Sequence, residues 1–124
     1  MNIPSNLKYR KSHEWASVDG DLCMLGISDF AQHAMGDIVY IKLPEVGDQL
    51  SVDAAFCDIE SVKAVSEVYS PVTGEVVEVN ASLDAAPEAI NADPYGAWIC
   101  KVRFTQLGEL LSAEEYEKVC AEEA

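Results

Sequence analysis

Short apolar, β-branched runs, interrupted by turn residues at the spacing of short strands, constrain this chain more than any other feature. Residues 14–18 and 22–27 are joined by Asp19-Gly20, where glycine supplies the positive φ of a tight hairpin turn. The first strands are therefore predicted to be antiparallel. A further run over residues 38–43 is stopped by Pro44 and Gly47, a turn is predicted over residues 71–74, and residues 98–104 read as another strand. Ser28 can cap a short helix over residues 29–35 that Gly36 ends, and residues 87–90 read as one helical turn. Ser112-Ala113-Glu114-Glu115 reads as a capping box, with Tyr116 and Val119 one helical step apart to hold a C-terminal helix against the core. Short strands at this frequency point to a small barrel or sandwich.

Two apolar segments, residues 56–59 and 65–69, flank Lys63. They are predicted to form two strands meeting in a tight hairpin with a primary amine at its tip. On either side of this hairpin, Gly36-Asp37-Ile38-Val39-Tyr40-Ile41 is echoed by Gly74-Glu75-Val76-Val77-Glu78-Val79. The echo reads equally well as two related halves of a sandwich or as common strand composition.

A length of 124 residues with an apolar fraction of 49% suits one domain spanning residues 1–124. The 22 acidic and 8 basic side chains give a formal charge of −14, which disfavours nucleic acid and anionic lipid and favours basic partners. The same charge serves to keep the chain dispersed as a monomer. No apolar run has the length of a membrane span, and residues 1–6 match neither a secretory signal nor an Arg-rich transit peptide. Cys23, Cys57, Cys100 and Cys120 contain no Cys-x-x-Cys pair, and His13 and His33 are the only histidines, so no metal-ligand spacing results. Thiols in apolar runs read as small buried hydrophobes of a reducing compartment.

The run Glu60-Ser61-Val62-Lys63-Ala64-Val65-Ser66, followed by residues 68–80, closely resembles the lipoylation segment of the glycine cleavage system H protein family. Ser12-His13-Glu14-Trp15, residues 26–32, Gly36-Asp37-Ile38-Val39, residues 43–48, Asn91-Ala92-Asp93-Pro94-Tyr95-Gly96 and residues 110–116 continue the resemblance in the family's order. Two departures stand out. Gly96-Ala97-Trp98 is one residue shorter than the family's usual loop, and Glu67 stands where the family often has Asp.

This resemblance implies a mostly β fold, a lipoyl/biotinyl-type barrel-sandwich hybrid with short peripheral helices and a C-terminal helix. It implies lipoic acid in amide linkage to Lys63, turning the amine into a long neutral arm ending in a dithiolane. It also implies four kinds of partner. A pyridoxal-phosphate glycine decarboxylase would load the arm with an aminomethyl group, and a folate-dependent aminomethyltransferase would unload it. A dihydrolipoamide dehydrogenase would re-oxidise the dithiol, and a lipoate ligase or a lipoyl/octanoyl transferase would attach the lipoyl group. The chain would be a non-catalytic carrier, since no nucleophile, base and oxyanion set can be assembled from its motifs. Its expected address is the cytoplasm of a bacterium, or the mitochondrial matrix for a mature eukaryotic chain.

Around the lysine, Glu60 and Ser61 would help the modifying enzyme recognise the hairpin. The loaded arm would carry a cationic amine, for which acidic side chains are the natural partners. Glu14 matches a family position lining such a cleft, and Glu67 lies four residues beyond Lys63; both also read as ordinary carboxylates. His13, Trp15, Tyr95 and Trp98 read as structural. Biotin is disfavoured because Val62 and Ala64, rather than methionines, flank the lysine. Three readings remain open: an aminomethyl shuttle of glycine cleavage, a relay passing lipoyl groups to 2-oxoacid dehydrogenases, and an unmodified scaffold.

Overall fold

Residues 1–123 are described by the computed structural model. In chain order they form β1 (Lys8–Tyr9), β2 (Glu14–Asp19), β3 (Leu22–Ile27), α1 (Asp29–Met35), β4 (Ile38–Lys42), β5 (Gln49–Leu50), β6 (Ala55–Ser61), β7 (Val65–Tyr69), β8 (Val72–Val79), α2 (Ser82–Ala85), α3 (Ala89–Ala92), β9 (Cys100–Leu107) and α4 (Ala113–Glu123). Alternation decides which side of each strand turns inward. Cys23, Leu25 and Ile27 of β3, Cys57 and Ile59 of β6, Val72 and Val76 of β8, and Cys100 and Val102 of β9 are all buried. These faces meet between two antiparallel sheets, ordered β1-β2-β3-β9-β8-β5 and β4-β6-β7. The layout agrees with the predicted small sandwich.

The Asp19-Gly20 hairpin forms as predicted, with Gly20 at φ 62° and Asp19 paired with Leu22. Ser28 caps α1 by accepting the Ala31 N–H at 3.2 Å, and Gly36 ends it at φ 76°. The C-terminal capping box is reciprocal: Ser112 Oγ accepts the Glu115 N–H at 3.2 Å and Glu115 Oε1 accepts the Ser112 N–H at 2.9 Å. Helix α4 docks through Tyr116 and Cys120, one turn apart, while Val119 is only half-buried. The Tyr116 ring stacks on Tyr9 at 4.5 Å, joining a second core with Leu7 and Trp15.

Several predicted boundaries move, and the helical turn expected over residues 87–90 forms over Ala89–Ala92. The turn expected over residues 71–74 is confined to Ser70 and Pro71, and Val72 already belongs to β8. There the Ser70 hydroxyl donates to Val72 O at 2.6 Å, closing the corner early enough for Val72 to pair with Leu107. The strand expected from Trp98 starts at Cys100, because the Trp98 carbonyl is taken by the Asn80 side-chain amide at 2.9 Å. The echoed segments fall in different sheets, one leading into β4 and the other within β8. Their glycines differ in role. Gly36 supplies a positive φ, whereas a Cβ on Gly74 would lie 2.2 Å from the Arg103 carbonyl oxygen of β9.

Candidate functional site

The hairpin of β6 and β7 is built inward from its register. Cys57 faces Val68, Ile59 faces Ser66 and Glu60 faces Val65, which leaves Val62 and Lys63 at the tip. Ser61 N–H donates to Ala64 O at 2.9 Å, and the Ser61 hydroxyl accepts the Lys63 N–H at 3.1 Å and the Ala64 N–H at 3.2 Å. One serine side chain thus satisfies the amides of Lys63 and Ala64, as short hydroxyl side chains do in turns. Val62 N–H donates to Asp37 O at 3.0 Å, tying the tip to the chain before β4. The backbone around Lys63 is held, while its side chain is exposed.

The Lys63 side chain passes over Gly36 at the end of α1: a Cβ on that glycine would lie 3.3 Å from Lys63 Cε. Phe30, Ala31 and Met35 of α1, with Ile27 and Ile59, form apolar walls of a cavity of about 190 Å³ that Ser12, Glu14, Ser66, Glu67 and Glu123 also line. Glu14 and Glu67, singled out in the sequence, therefore reach the same cavity. Glu60 does not. It sits half-buried on β6, in register between Tyr40 and Val65.

Glu14 is 3% exposed, and its carboxylate accepts from the Tyr69 N–H at 2.8 Å and from the Ser12 hydroxyl. Tyr69 ends β7, the edge strand of its sheet, so Glu14 caps a backbone donor that has no strand partner. Burial pushes the Glu14 carboxyl above its ordinary range, and the hydrogen bonds from Ser12 and Tyr69 and the charge of Arg10 offset only part of this. Arg10 stands 3.8 Å away but makes its tighter pair with Asp53 at 2.6 Å. Glu67, by contrast, is exposed.

His13, read from the sequence as structural, has partners the sequence did not supply. Held at φ 83°, it stacks on Phe30 and meets the Tyr116 hydroxyl at 2.7 Å and Glu123 Oε1 at 2.9 Å. It joins α4 to the cavity and fixes the segment carrying Ser12 and Glu14. The shortened Gly96 loop closes on Asp93, whose carboxylate accepts the Gly96 N–H at 3.1 Å, and Pro94 O accepts the Trp15 indole N–H at 3.1 Å.

A rigid β scaffold that holds an amine on a tied hairpin tip, next to an apolar cleft with a buried carboxylate, has the form of a carrier domain for a lysine-bound group. The protein-family model for the glycine cleavage H-protein matches residues 7–123. The chain is 52% identical over 118 residues to the probable glycine cleavage system H protein of Thermoplasma volcanium, covering 95% of this chain and 97% of that one. It is 51% identical over 122 residues to the glycine cleavage system H protein of Rubrobacter xylanophilus, covering 98% and 97%. The crystal structure of a glycine cleavage system H protein from Mycobacterium marinum matches with a TM-score of 0.89 at 40% identity, covering 94% of this chain and 97% of that one. The chain belongs to the glycine cleavage H-protein family, whose members are non-catalytic carriers with a lipoyl group on a lysine.

The site fits that group: the amine is exposed, Gly36 leaves space beside it, and the neighbouring cleft is apolar. Glycine-cleavage membership implies the decarboxylase, aminomethyltransferase and dihydrolipoamide dehydrogenase as partners. Among the described residues no helix is long and apolar enough to cross a membrane.

Proposed function

We propose that Lys63 is the lipoyl attachment site and that residues 1–124 act as one carrier unit in the bacterial or archaeal cytoplasm. The observation that carries this reading is the hairpin tip itself: Ser61 satisfies the Lys63 and Ala64 amides and Asp37 the Val62 amide, yet the lysine side chain is exposed. A lipoate ligase or a lipoyl/octanoyl transferase would acylate it. When bound, the lipoyl group supplies a dithiolane that can take up a one-carbon amine and be re-oxidised afterwards.

The chain's own residues orient and shield. Ser61 holds the tip rigid, and Gly36 lets the side chain pass towards α1. The apolar walls from Ile27, Phe30, Ala31 and Met35 lower the local polarity of the cleft, where carboxylate attraction for a cation is stronger than in bulk. Glu14 is the group placed inside the cleft to hold that cation, with Glu67 at its exposed rim, and a cation beside Glu14 favours its ionised form. This cleft favours aminomethyl carriage over the lipoate-relay reading, which has no need of carboxylates near the arm.

Intact mass after incubation with lipoate ligase, ATP and lipoic acid tests the attachment site. One added lipoyl group on the parent and none on Lys63→Arg is expected. Equal modification of both would place the group elsewhere.

A further inference from the structure

Four of the exposed large hydrophobic side chains lie on the lysine hairpin or on β4 beside it: Val62 (67%) and Val65 (64%) on the hairpin, Val39 (55%) and Tyr40 (46%) on β4. Register brings two of them into line. Tyr40 of β4, Glu60 of β6 and Val65 of β7 are direct cross-strand partners, so they form one row on one face of the three-stranded sheet. Lys42, Asp58 and Glu67 form the next row. Ile41 and Ile59, on the opposite face, are buried in the core. The outward face thus carries Tyr40 and Val65 on either side of Glu60 in the row nearer the lysine, and a mainly acidic row behind it. A groove of about 480 Å³ continues it, with Glu45, Asp48, Asp58 and Glu67 around Phe56.

Leaving these side chains in water costs hydrophobic free energy without serving the core, and an apolar centre with charged margins is the form of a docking surface. Reach identifies the occupant. An unmodified lysine has only its own short stem, so the enzyme that acylates it must bring its active site against the hairpin tip and the row behind it. Enzymes acting on the far end of a completed arm work at a greater distance. Asp58, Glu60 and Glu67 set against Lys42 ask for lysine and arginine at that enzyme's margin.

We propose that the outer face of β4-β6-β7, centred on Tyr40 and Val65, is the docking surface for the lipoyl-attaching enzyme, which meets it with an apolar patch rimmed by basic residues. This rests on Lys63 being the attachment site. In the step it serves, Lys63 Nζ attacks the carbonyl of lipoyl-adenylate, the amide bond forms, the acyl–phosphate bond breaks, and AMP and a proton leave.

The test uses purified lipoate ligase with ATP and lipoic acid on the full chain, reading initial rates by intact mass, and a separate binding titration of unmodified chain against ligase without ATP. Tyr40→Thr/Val65→Thr should lower kcat/KM by roughly tenfold or more, mainly through KM, and weaken binding by a similar factor. Added salt should weaken the parent's binding. Val18→Thr, on an exposed site of β2, should match the parent. An unchanged thermal melt of the double variant ties the loss to the surface rather than to folding.

The docking surface is refuted if the parent is modified at Lys63 and the double variant keeps both rate and binding within about twofold, below what one contact residue contributes. It is also refuted if lipoylation stands while only turnover with the aminomethyltransferase falls, or if the double variant abolishes a dimer of the parent without touching ligase binding. If the parent takes no lipoyl group where an established lipoyl domain does, the attachment-site reading fails first and the docking surface with it.

Discussion

Glu14 caps the Tyr69 amide from a nearly dry position, so its two roles, acceptor and charge, can be separated by substitution. Glu14→Ala removes the acceptor and orphans the Tyr69 N–H; a buried unsatisfied donor costs about 1–3 kcal/mol. The Ser12 hydroxyl is exposed and can turn to water, so it adds little. Deleting a carboxylate whose ionised form is disfavoured returns part of the loss, which leaves a net cost of about 1–2 kcal/mol for the alanine. Glu14→Gln keeps an acceptor for Tyr69 and removes the charge. At pH 7 it should lie within about 1 kcal/mol of the parent or exceed it. The pH dependence has a definite sign. A carboxyl raised above its ordinary value of 4.5 binds more protons in the native than in the unfolded chain just above that pH. Its contribution is therefore fully present below 4.5 and lost as pH rises through the folded value. Urea unfolding of parent and Gln variant from pH 4 to 8 should show the parent losing ground to the variant as pH rises. If Glu14→Gln loses as much as Glu14→Ala at pH 7, or the parent gains on it with rising pH, then attraction to Arg10 outweighs burial and the reasoning fails.

Three further outcomes follow from the same structure. Ser61→Ala should speed hydrogen exchange at the Lys63 and Ala64 amides by about tenfold and slow lipoylation, with Ser61→Thr restoring both, while global stability changes by less than about 1 kcal/mol because the tip is exposed. Gly74→Ala should cost more than about 2 kcal/mol in chemical denaturation, since its methyl group meets the backbone of β9, whereas Gly20→Ala, with nothing near its Cβ, should cost only about 1 kcal/mol for its positive φ. Cys23 and Cys100, pushed up to about 12 by burial, and Cys57, pushed up further for the same reason, should resist iodoacetamide at pH 8 and label only on unfolding, as counted by intact mass.

Features set by local chemistry were legible in the sequence. The Asp19-Gly20 turn, the Ser28 cap and the Ser112/Glu115 box each depend on residues within a few positions of one another, and each stands where predicted. The lysine hairpin was legible for the same reason. Features decided by distant partners were not. The start of β8 at Val72 depends on Leu107, and the two-residue strands β1 and β5 exist only through pairing with β2 and β8. The cleft shows the limit most clearly. Its walls come from β3, α1, β6 and β7, and its buried carboxylate is fixed by an amide 55 positions away. A six-residue window contains none of that. Glu67 was reachable from its distance to Lys63, but His13 needed the C-terminal helix in place before its contacts with Tyr116 and Glu123 had meaning.

Glycine–bicarbonate exchange with purified glycine decarboxylase tests the central claim most directly, with three additions compared: the lipoylated chain, the unmodified chain, and Lys63→Arg carried through the same lipoylation reaction. Exchange is predicted to rise with the concentration of the lipoylated chain and to stay at the decarboxylase background with the other two. Exchange supported equally by Lys63→Arg, or absent with a chain that intact mass shows to be fully lipoylated, would contradict the account.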